Sequence, residues 1–118
     1  MTTVPREITI LSPQAPDGLD LASAAHAVDQ SYGVRPIDGA TAHQVFARGG
    51  RALLTVYGAQ ELNTSGEIER LLTDPPEVRL PVFWADAVAP LGDEGELGVS
   101  VALRLALGLD ATCIVEDD

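Results

Sequence analysis

Between residues 80 and 115 the spacing of apolar positions changes twice, which predicts a strand, a helix and a second strand. Residues 80–89 are apolar at odd and even positions alike, except at Asp86. This pattern is typical of a central strand that is covered on both faces. From Leu97 to Leu107 the chain is apolar around one narrow helical stripe of polar residues, namely Glu96, Ser100 and Arg104. Residues 111–115 are apolar again, so the stretch predicts a βαβ unit with parallel strands that need not be adjacent.

The ends of this helix are also predicted from the residue types. Asp93 and Glu96 are three residues apart directly before the apolar run, which is an acidic variant of the capping box. Gly108 follows the run, where a left-handed cap is favoured because glycine has no Cβ. A helix is therefore expected to begin at Asp93, and most of its surface is expected to be covered.

The N-terminal third gives a second strand–helix–strand pattern. Residues 6–11 read as a strand, and Asp17 in the following loop is the expected helix cap. Apolar residues then recur at helical spacings up to Gly33, which is expected to end the helix; they are Leu21, Ala24, Ala25, Val28 and Tyr32. Residues 34–38 are expected to form a short strand, which Pro36 restricts to a sheet edge or a bulge because proline cannot donate to the ladder.

The clearest local signal is a hairpin in the middle of the chain. Residues 42–47 and 52–57 are rich in strand-forming residues, and Gly49-Gly50 between them supplies the positive φ angles of a tight turn. Residues 61–72 contain a possible short helix. Taken in order, the elements predict one α+β domain over residues 1–118, with a mixed sheet of about five or six strands and two main helices packed on it.

The charge of the chain narrows its partners. The chain contains 18 acidic residues, seven arginines and no lysine, which gives a net charge of −11. A surface that binds nucleic acid or an anionic membrane needs clustered Lys and Arg, so neither is expected as a partner. The acidic surface either keeps the domain in solution or attracts a basic protein. One cysteine and no long apolar run make the cytoplasm the expected location.

Two motifs resemble catalytic signatures but lack their chemistry. Residues 92–98 match Gly-x-x-Gly-x-x-Gly after a strand, as in phosphate-binding loops, yet Asp93, Glu94 and Glu96 would repel a phosphate. Residues 98–102 have the spacing of a nucleophile elbow around Ser100, but this serine falls inside the predicted helix. Neither motif is therefore expected to act in nucleotide binding or catalysis.

The remaining reactive side chains do not form a site by their spacing. Cys113 lies in an apolar terminal strand and is expected to be an unreactive core thiol. His26 and His43 lie in different predicted elements, without the paired spacing of metal ligands, and both are expected at the surface. No metal and no cofactor are predicted.

Asp86 is the most unusual residue, because it places a charge in an otherwise apolar strand near its carboxyl end. A buried carboxylate is commonly satisfied by a backbone group or an arginine. The alternative is that Trp84 and Asp86, two apart on the same face of the strand, form a recognition patch, since tryptophan is enriched at interface hot spots.

These observations favour a non-enzymatic protein-binding module, of the immunity-protein or antitoxin kind, that covers a basic site on a partner. Its candidate contacts are Trp84, Asp86, Asp93, Glu94 and Glu96. One alternative is a small enzyme or small-molecule-binding domain with a pocket at the strand ends near Asp86. Another is a structural subunit that forms a homodimer through an apolar sheet face.

Overall fold

Seven strands form one sheet with two helices packed on it, within the part of the chain that the structure, a computed structural model, describes: residues 5–39, 41–64, 66 and 79–116. The α+β class and the two main helices are confirmed, and the sheet has seven strands, all paired antiparallel, where a mixed sheet of about five or six was expected. The elements are β1 (Arg6–Ser12), α1 (Gly18–Val28), β2 (Gly33–Ile37), β3 (Ala42–Phe46), β4 (Ala52–Tyr57), β5 (Gln60–Leu62), β6 (Val82–Ala89), α2 (Asp93–Leu109) and β7 (Thr112–Glu116).

The strand order is β2-β3-β4-β6-β1-β7, with β5 also paired to β6, and each neighbouring pair is antiparallel. Strand β6 is central, as predicted, because β1 lies on one side of it and β4 and β5 on the other. Since β1 is antiparallel to both β6 and β7, those two strands run parallel with β1 between them. The predicted βαβ unit is therefore confirmed, with non-adjacent strands.

Strand β5 was not predicted. It occupies Gln60–Leu62, at the start of the stretch in which a short helix was expected. The rest of that stretch, apart from residues 63, 64 and 66, lies outside the described residues. Thr55 pairs with Val88 and Gln60 with Trp84, so five residues along β4 and β5 match four along β6. One extra residue is thus accommodated between β4 and β5, as in a β-bulge.

Both helices lie against the same face of the sheet. Helix α2 contacts α1, β1, β4, β6 and β7, while α1 contacts β2 and β3. The main core lies in this layer and includes Ile8, Ile10, Val45, Ala85 and Ala87 from the strands, with Leu21, Val101, Ala102 and Leu105 from the helices. We call the opposite surface the outer sheet face. The prediction that β6 is covered on both faces was wrong, because Asp86 on the outer sheet face is exposed.

The hairpin and the edge strand agree with their predictions. Gly49 and Gly50 have φ angles of 96° and 88°, and the Gly50 N–H donates to the Ala47 carbonyl at 2.9 Å. These positive φ angles are the reason that glycine suits both positions. Strand β2, which contains Pro36, lies at one edge of the sheet.

Helix α1 begins as predicted but ends earlier. Asp17 is its N-cap, in a full capping box in which Asp17 accepts from the Asp20 N–H at 2.8 Å and Asp20 accepts from the Asp17 N–H at 3.0 Å. Gly33 does not end the helix; Asp29 does, in an extended conformation. Asp29 accepts hydrogen bonds from both the N–H and the Oγ of Ser31, which stabilise the chain in a turn instead of a further helical turn.

Both predicted caps of α2 were wrong. Its N-cap is Gly92, with φ of 86° and no side-chain capping bond, so Asp93 and Glu96 do not form a capping box. Its left-handed C-cap is Asp110, with φ of 54°, and Gly108 lies in the last helical turn. Aspartate tolerates this conformation better than most residues.

The exposed surface of α2 is wider than the predicted polar stripe. Leu97, Leu103 and Leu107 are exposed at 39%, 50% and 72% of their surface, alongside the exposed Ser100. The predicted polar stripe was therefore too narrow, because the leucines of the helix are divided between the core side and the solvent side. Leu105 and Leu109 are the buried ones.

Two glycines bring the backbone of α2 close to its neighbours, Gly98 to strand β4 and Gly95 to the loop that precedes the helix. A Cβ at Gly98 would lie 1.9 Å from the Leu53 carbonyl oxygen, and one at Gly95 would lie 1.7 Å from the Pro90 carbonyl oxygen. Real atoms cannot approach so closely, so no other residue fits either position without displacing the helix. The glycine motif at residues 92–98 is therefore explained by a turn and two close packing contacts.

We predict that a charge on the core side of α2 unfolds the domain, whereas one on the solvent side does not. Ala102 is fully buried and Ser100 is exposed. Ala102→Asp should lower the free energy of unfolding by about 3 kcal/mol or more. Ser100→Asp should change it by less than about 0.5 kcal/mol. Urea denaturation followed by circular dichroism would measure both. Equal losses in the two variants would contradict the assignment of these faces.

A second prediction concerns the glycines of α2. Gly98→Ala should lower the free energy of unfolding by at least about 2 kcal/mol, because the methyl group displaces the helix from Leu53. Gly108→Ala is the matched control, since a Cβ there meets nothing within 4 Å. It should raise stability by roughly 0.5–1 kcal/mol through helix propensity. Thermal melting of both variants tests the contact. An unchanged stability of Gly98→Ala would show that α2 does not lie so close to Leu53.

Candidate functional site on the outer sheet face

A row of side chains crosses the outer sheet face from one edge strand to the other. The register pairs neighbouring strands so that the row runs Arg35, Gln44, Thr55, Val88, Glu7 and Glu116. Alternate residues of a strand point to opposite faces. Glu7 thus lies on the face opposite the buried Ile8 of the main core. The row has a basic end on β2 and an acidic end on β1 and β7.

The basic end is held by hydrogen bonds within the sheet. Arg35 donates to Gln44 Oε1 from Nη2 at 2.6 Å and from Nε at 3.0 Å, and Gln44 Nε2 donates to Thr55 Oγ1 at 3.2 Å. The Arg35 guanidinium also lies 4.8 Å from the centroid of the Phe46 ring. The side chain of Arg35 is therefore fixed in place by its neighbours.

The acidic end brings together three exposed carboxylates, Glu7, Asp86 and Glu116, which we call the acidic sheet face. Glu7 and Glu116 are directly opposite each other on β1 and β7, and Asp86 is opposite Thr9, two residues further along β1. Like charges that face each other across two strands are destabilising. A cationic group bound here would relieve that repulsion.

Trp84 and Asp86 lie on one face of β6, as predicted, and contact each other. The indole Nε1 donates to Asp86 Oδ1 at 2.9 Å. Neither a backbone group nor an arginine is the observed partner, and Asp86 is exposed and not a buried charge. The half-buried Trp84 packs against a small outer cluster of Leu11, Leu62 and Val82, with Ile114. The Asp86 carboxylate is therefore oriented by a tryptophan that is itself held by packing.

The acidic residues at the start of α2 lie on the helix side of the sheet. Glu94 Oε1 accepts from Arg51 Nη1 at 2.7 Å, and Glu96 Oε1 accepts from Arg6 Nη1 at 2.5 Å. Asp93 is exposed. The five predicted contact residues thus form two groups on different sides of the molecule, and two members of the helix group already pair with arginines of the same chain.

Ser100 and the two histidines do not form a catalytic group with each other. Ser100 lies inside α2 and donates to the Glu96 carbonyl at 3.1 Å. His26 is exposed as predicted, and His43 is half-buried beside Gly18 at the border of a surface groove. In the described part of the chain, no three His, Cys, Asp or Glu residues are grouped in a way that could hold a metal ion.

Two surface cavities lie beside α1, away from Asp86. One of about 290 Å³ lies between α1 and the end of α2, where Asp20, Arg104 and Leu107 line it. The other is a shallow groove near the start of α1, bordered by Asp17, His26 and His43. Asp86 lines neither cavity.

Sequence reasoning missed Glu7 and Glu116 as members of the acidic sheet face. The signal available was the alternation along β1, which puts Glu7 on the same face as Thr9 and Leu11. The alternation could not show that β1 lies between β6 and β7. Only that strand order brings Glu7 beside Glu116 and near Asp86.

Comparison with known proteins adds no family to this geometry: no family model, no curated protein and no solved structure matches the chain. Among the helices of the described residues, none has the length and apolar character to cross a membrane.

Cys113 provides a chemical test of the β7 edge. It is half-buried in β7 and packs against the main core, and burial raises the pKa of its thiol. Less thiolate is then present at a given pH, so iodoacetamide should modify the native protein several-fold more slowly than the urea-unfolded chain at about pH 8. The native rate should still be rising with pH where the unfolded rate has levelled off. Mass spectrometry would follow the reaction, and equal rates would contradict the burial.

Proposed function

We propose that this protein is a non-enzymatic binding module whose acidic sheet face, together with Trp84, engages a basic surface of another protein. The observation that carries the proposal is the hydrogen bond from Trp84 Nε1 to Asp86 Oδ1 on an exposed part of the sheet. It joins an oriented carboxylate to an aromatic side chain. A pair of this kind can pack against the stem of an arginine or lysine and accept its charged end.

The arrangement of charges supports binding over a purely solubilising role. A solubilising surface gains nothing from placing Glu7 opposite Glu116, because that pair lowers the stability of the sheet. A cation from a partner would offset the repulsion and pair with Asp86 nearby. Half-buried apolar side chains lie beside these carboxylates and would provide apolar contact area: Val88 is paired with Glu7, and Ile114 is two residues before Glu116 on β7.

The net charge of −11 supports a basic partner. Electrostatic attraction of this size speeds association and is screened by salt. Within the class of binding modules we favour an inhibitor of the immunity-protein or antitoxin kind, which covers a basic site on its target. The small size of the chain and its acidic character fit that kind of inhibitor.

The start of α2 is the less favourable of the two acidic groups for such a partner. Glu94 and Glu96 already accept hydrogen bonds from Arg51 and Arg6. A partner cation would have to compete with these arginines. Among the residues that the structure describes, no arginine competes at Asp86, where the donor is the neutral indole of Trp84.

Two charge-matched double variants test which surface binds. Glu7→Gln with Asp86→Asn removes two charges from the acidic sheet face, and Asp93→Asn with Glu94→Gln removes two from the helix side. Each immobilised variant and the wild type would be exposed to lysate from the source cells, and a retained basic protein would then be purified. We expect its association rate to fall by about tenfold with the sheet-face variant and to change much less with the helix-side variant.

Both variants should remain folded, and the sheet-face variant should melt slightly above the wild type because it loses the repulsion between Glu7 and Glu116, which separates lost binding from lost folding. The association rate of the wild type should also decrease as salt increases from 50 to 500 mM. A rate that responds to the helix-side variant and not to the sheet-face variant would move the interface to α2. A partner that binds without regard to salt or to either variant would overturn the proposal.

A further inference from the structure

The solvent side of α2 carries a row of residues spaced four apart, Glu96, Ser100 and Arg104, with exposed leucines on both sides. Leu103 and Leu107 flank the row on one side and Leu97 on the other, exposed at 50%, 72% and 39%. We call this surface the α2 face. It lies in the helix layer and shares no residue with the acidic sheet face. Several large apolar side chains exposed on one side of a helix commonly mark a contact surface.

If the row is turned end for end, each charged residue meets a residue of opposite charge. Ser100 lies near the middle of the 17-residue helix, with an acid one turn before it and a base one turn after it. Turning the row end for end about Ser100 exchanges the positions of Glu96 and Arg104. A surface that matches its own reversed copy is the requirement for a twofold symmetric contact between identical subunits.

We propose that the α2 face is the interface of a homodimer, in which α2 packs antiparallel on α2 of a second copy and the two helices cross at Ser100. Rows of residues four apart pack side by side when helices cross at about −50°, the commonest helix packing class. In this arrangement Glu96 faces the partner subunit's Arg104, and Arg104 faces the partner subunit's Glu96. The serine hydroxyl at the crossing is small, so the helices can approach closely.

The state of the two charges in the single chain agrees with this pairing. Arg104 is exposed and makes no ion pair with any residue that the structure describes. Glu96 already accepts from Arg6 at Oε1, so the partner subunit's Arg104 would share this carboxylate with Arg6 and gain less from it than from an unpaired acid. Burial of the exposed leucines would supply the apolar part of the interface.

A second copy is the occupant favoured by the charges. Two chains of net charge −11 repel each other, so a self-contact must lie where opposite charges meet. The α2 face meets that condition twice by symmetry. A basic partner of another kind would be repelled by Arg104 within this surface, and an acidic partner would be repelled by Glu96.

The test uses two variants with opposite charge on the α2 face. Arg104→Glu places two acids on the row, and Glu96→Arg places two bases. Sedimentation equilibrium of the full chain should show a dimer for the wild type and a dissociation constant raised at least about tenfold for each variant alone. An equimolar mixture of the two should recover a heterodimer, because the acidic row of one then faces the basic row of the other.

Circular dichroism and melting would verify that each variant folds, which matters for Glu96→Arg because it loses the contact with Arg6. Leu103→Ser should also weaken the dimer, because the reversal about Ser100 places Leu103 opposite the partner's Leu97, whereas Leu19→Ser, at a leucine of α1 that is 79% exposed, should not. A monomeric wild type at millimolar concentration would overturn the proposal. So would a mixture that fails to associate, or folded single variants that dimerise as the wild type does.

Discussion

The close contact of α2 with the sheet layer is the constraint on which the other features of the molecule depend. At Gly95 and Gly98 the helix backbone lies so near to Pro90 and Leu53 that a single added carbon atom would overlap their carbonyl oxygens. The contact brings Val101, Ala102 and Leu105 into the core. Because backbone atoms form both sides of this contact, it restricts the position of α2 more narrowly than packing of flexible side chains would.

Because α2 packs on one face of the sheet, the molecule has two different surfaces. The helices occupy one face of the sheet, so the hydrophobic content of the strands on that face is satisfied by α1 and α2. On the outer sheet face, the described residues form only a small apolar cluster around Leu11 and Val82, and polar side chains occupy much of the remainder. The acidic sheet face and the α2 face are therefore separate surfaces, and each can be altered without touching the other.

Two carboxylate groups that look alike in the sequence differ in what they can do. Glu94 and Glu96 are paired with arginines and stabilise the start of α2. Asp86 is oriented by a neutral donor and keeps its charge facing solvent. Proximity to opposite charge decides the difference. A carboxylate already neutralised by its own chain has less to gain from a partner's cation.

Much of the local structure was determined by the sequence alone: the β6–α2–β7 unit, the Gly49-Gly50 hairpin, the Asp17 cap and the shared face of Trp84 and Asp86. Each depends on contacts between residues close in the chain, and periodicity and turn chemistry report those directly. The tertiary structure alone decided that β1 lies between β6 and β7, which places Glu7 opposite Glu116. It also decided that Gly98 packs against Leu53 and that Leu103 and Leu107 face solvent. These outcomes depend on pairing between residues far apart in the chain, and no local pattern encodes which strand or helix will be the neighbour.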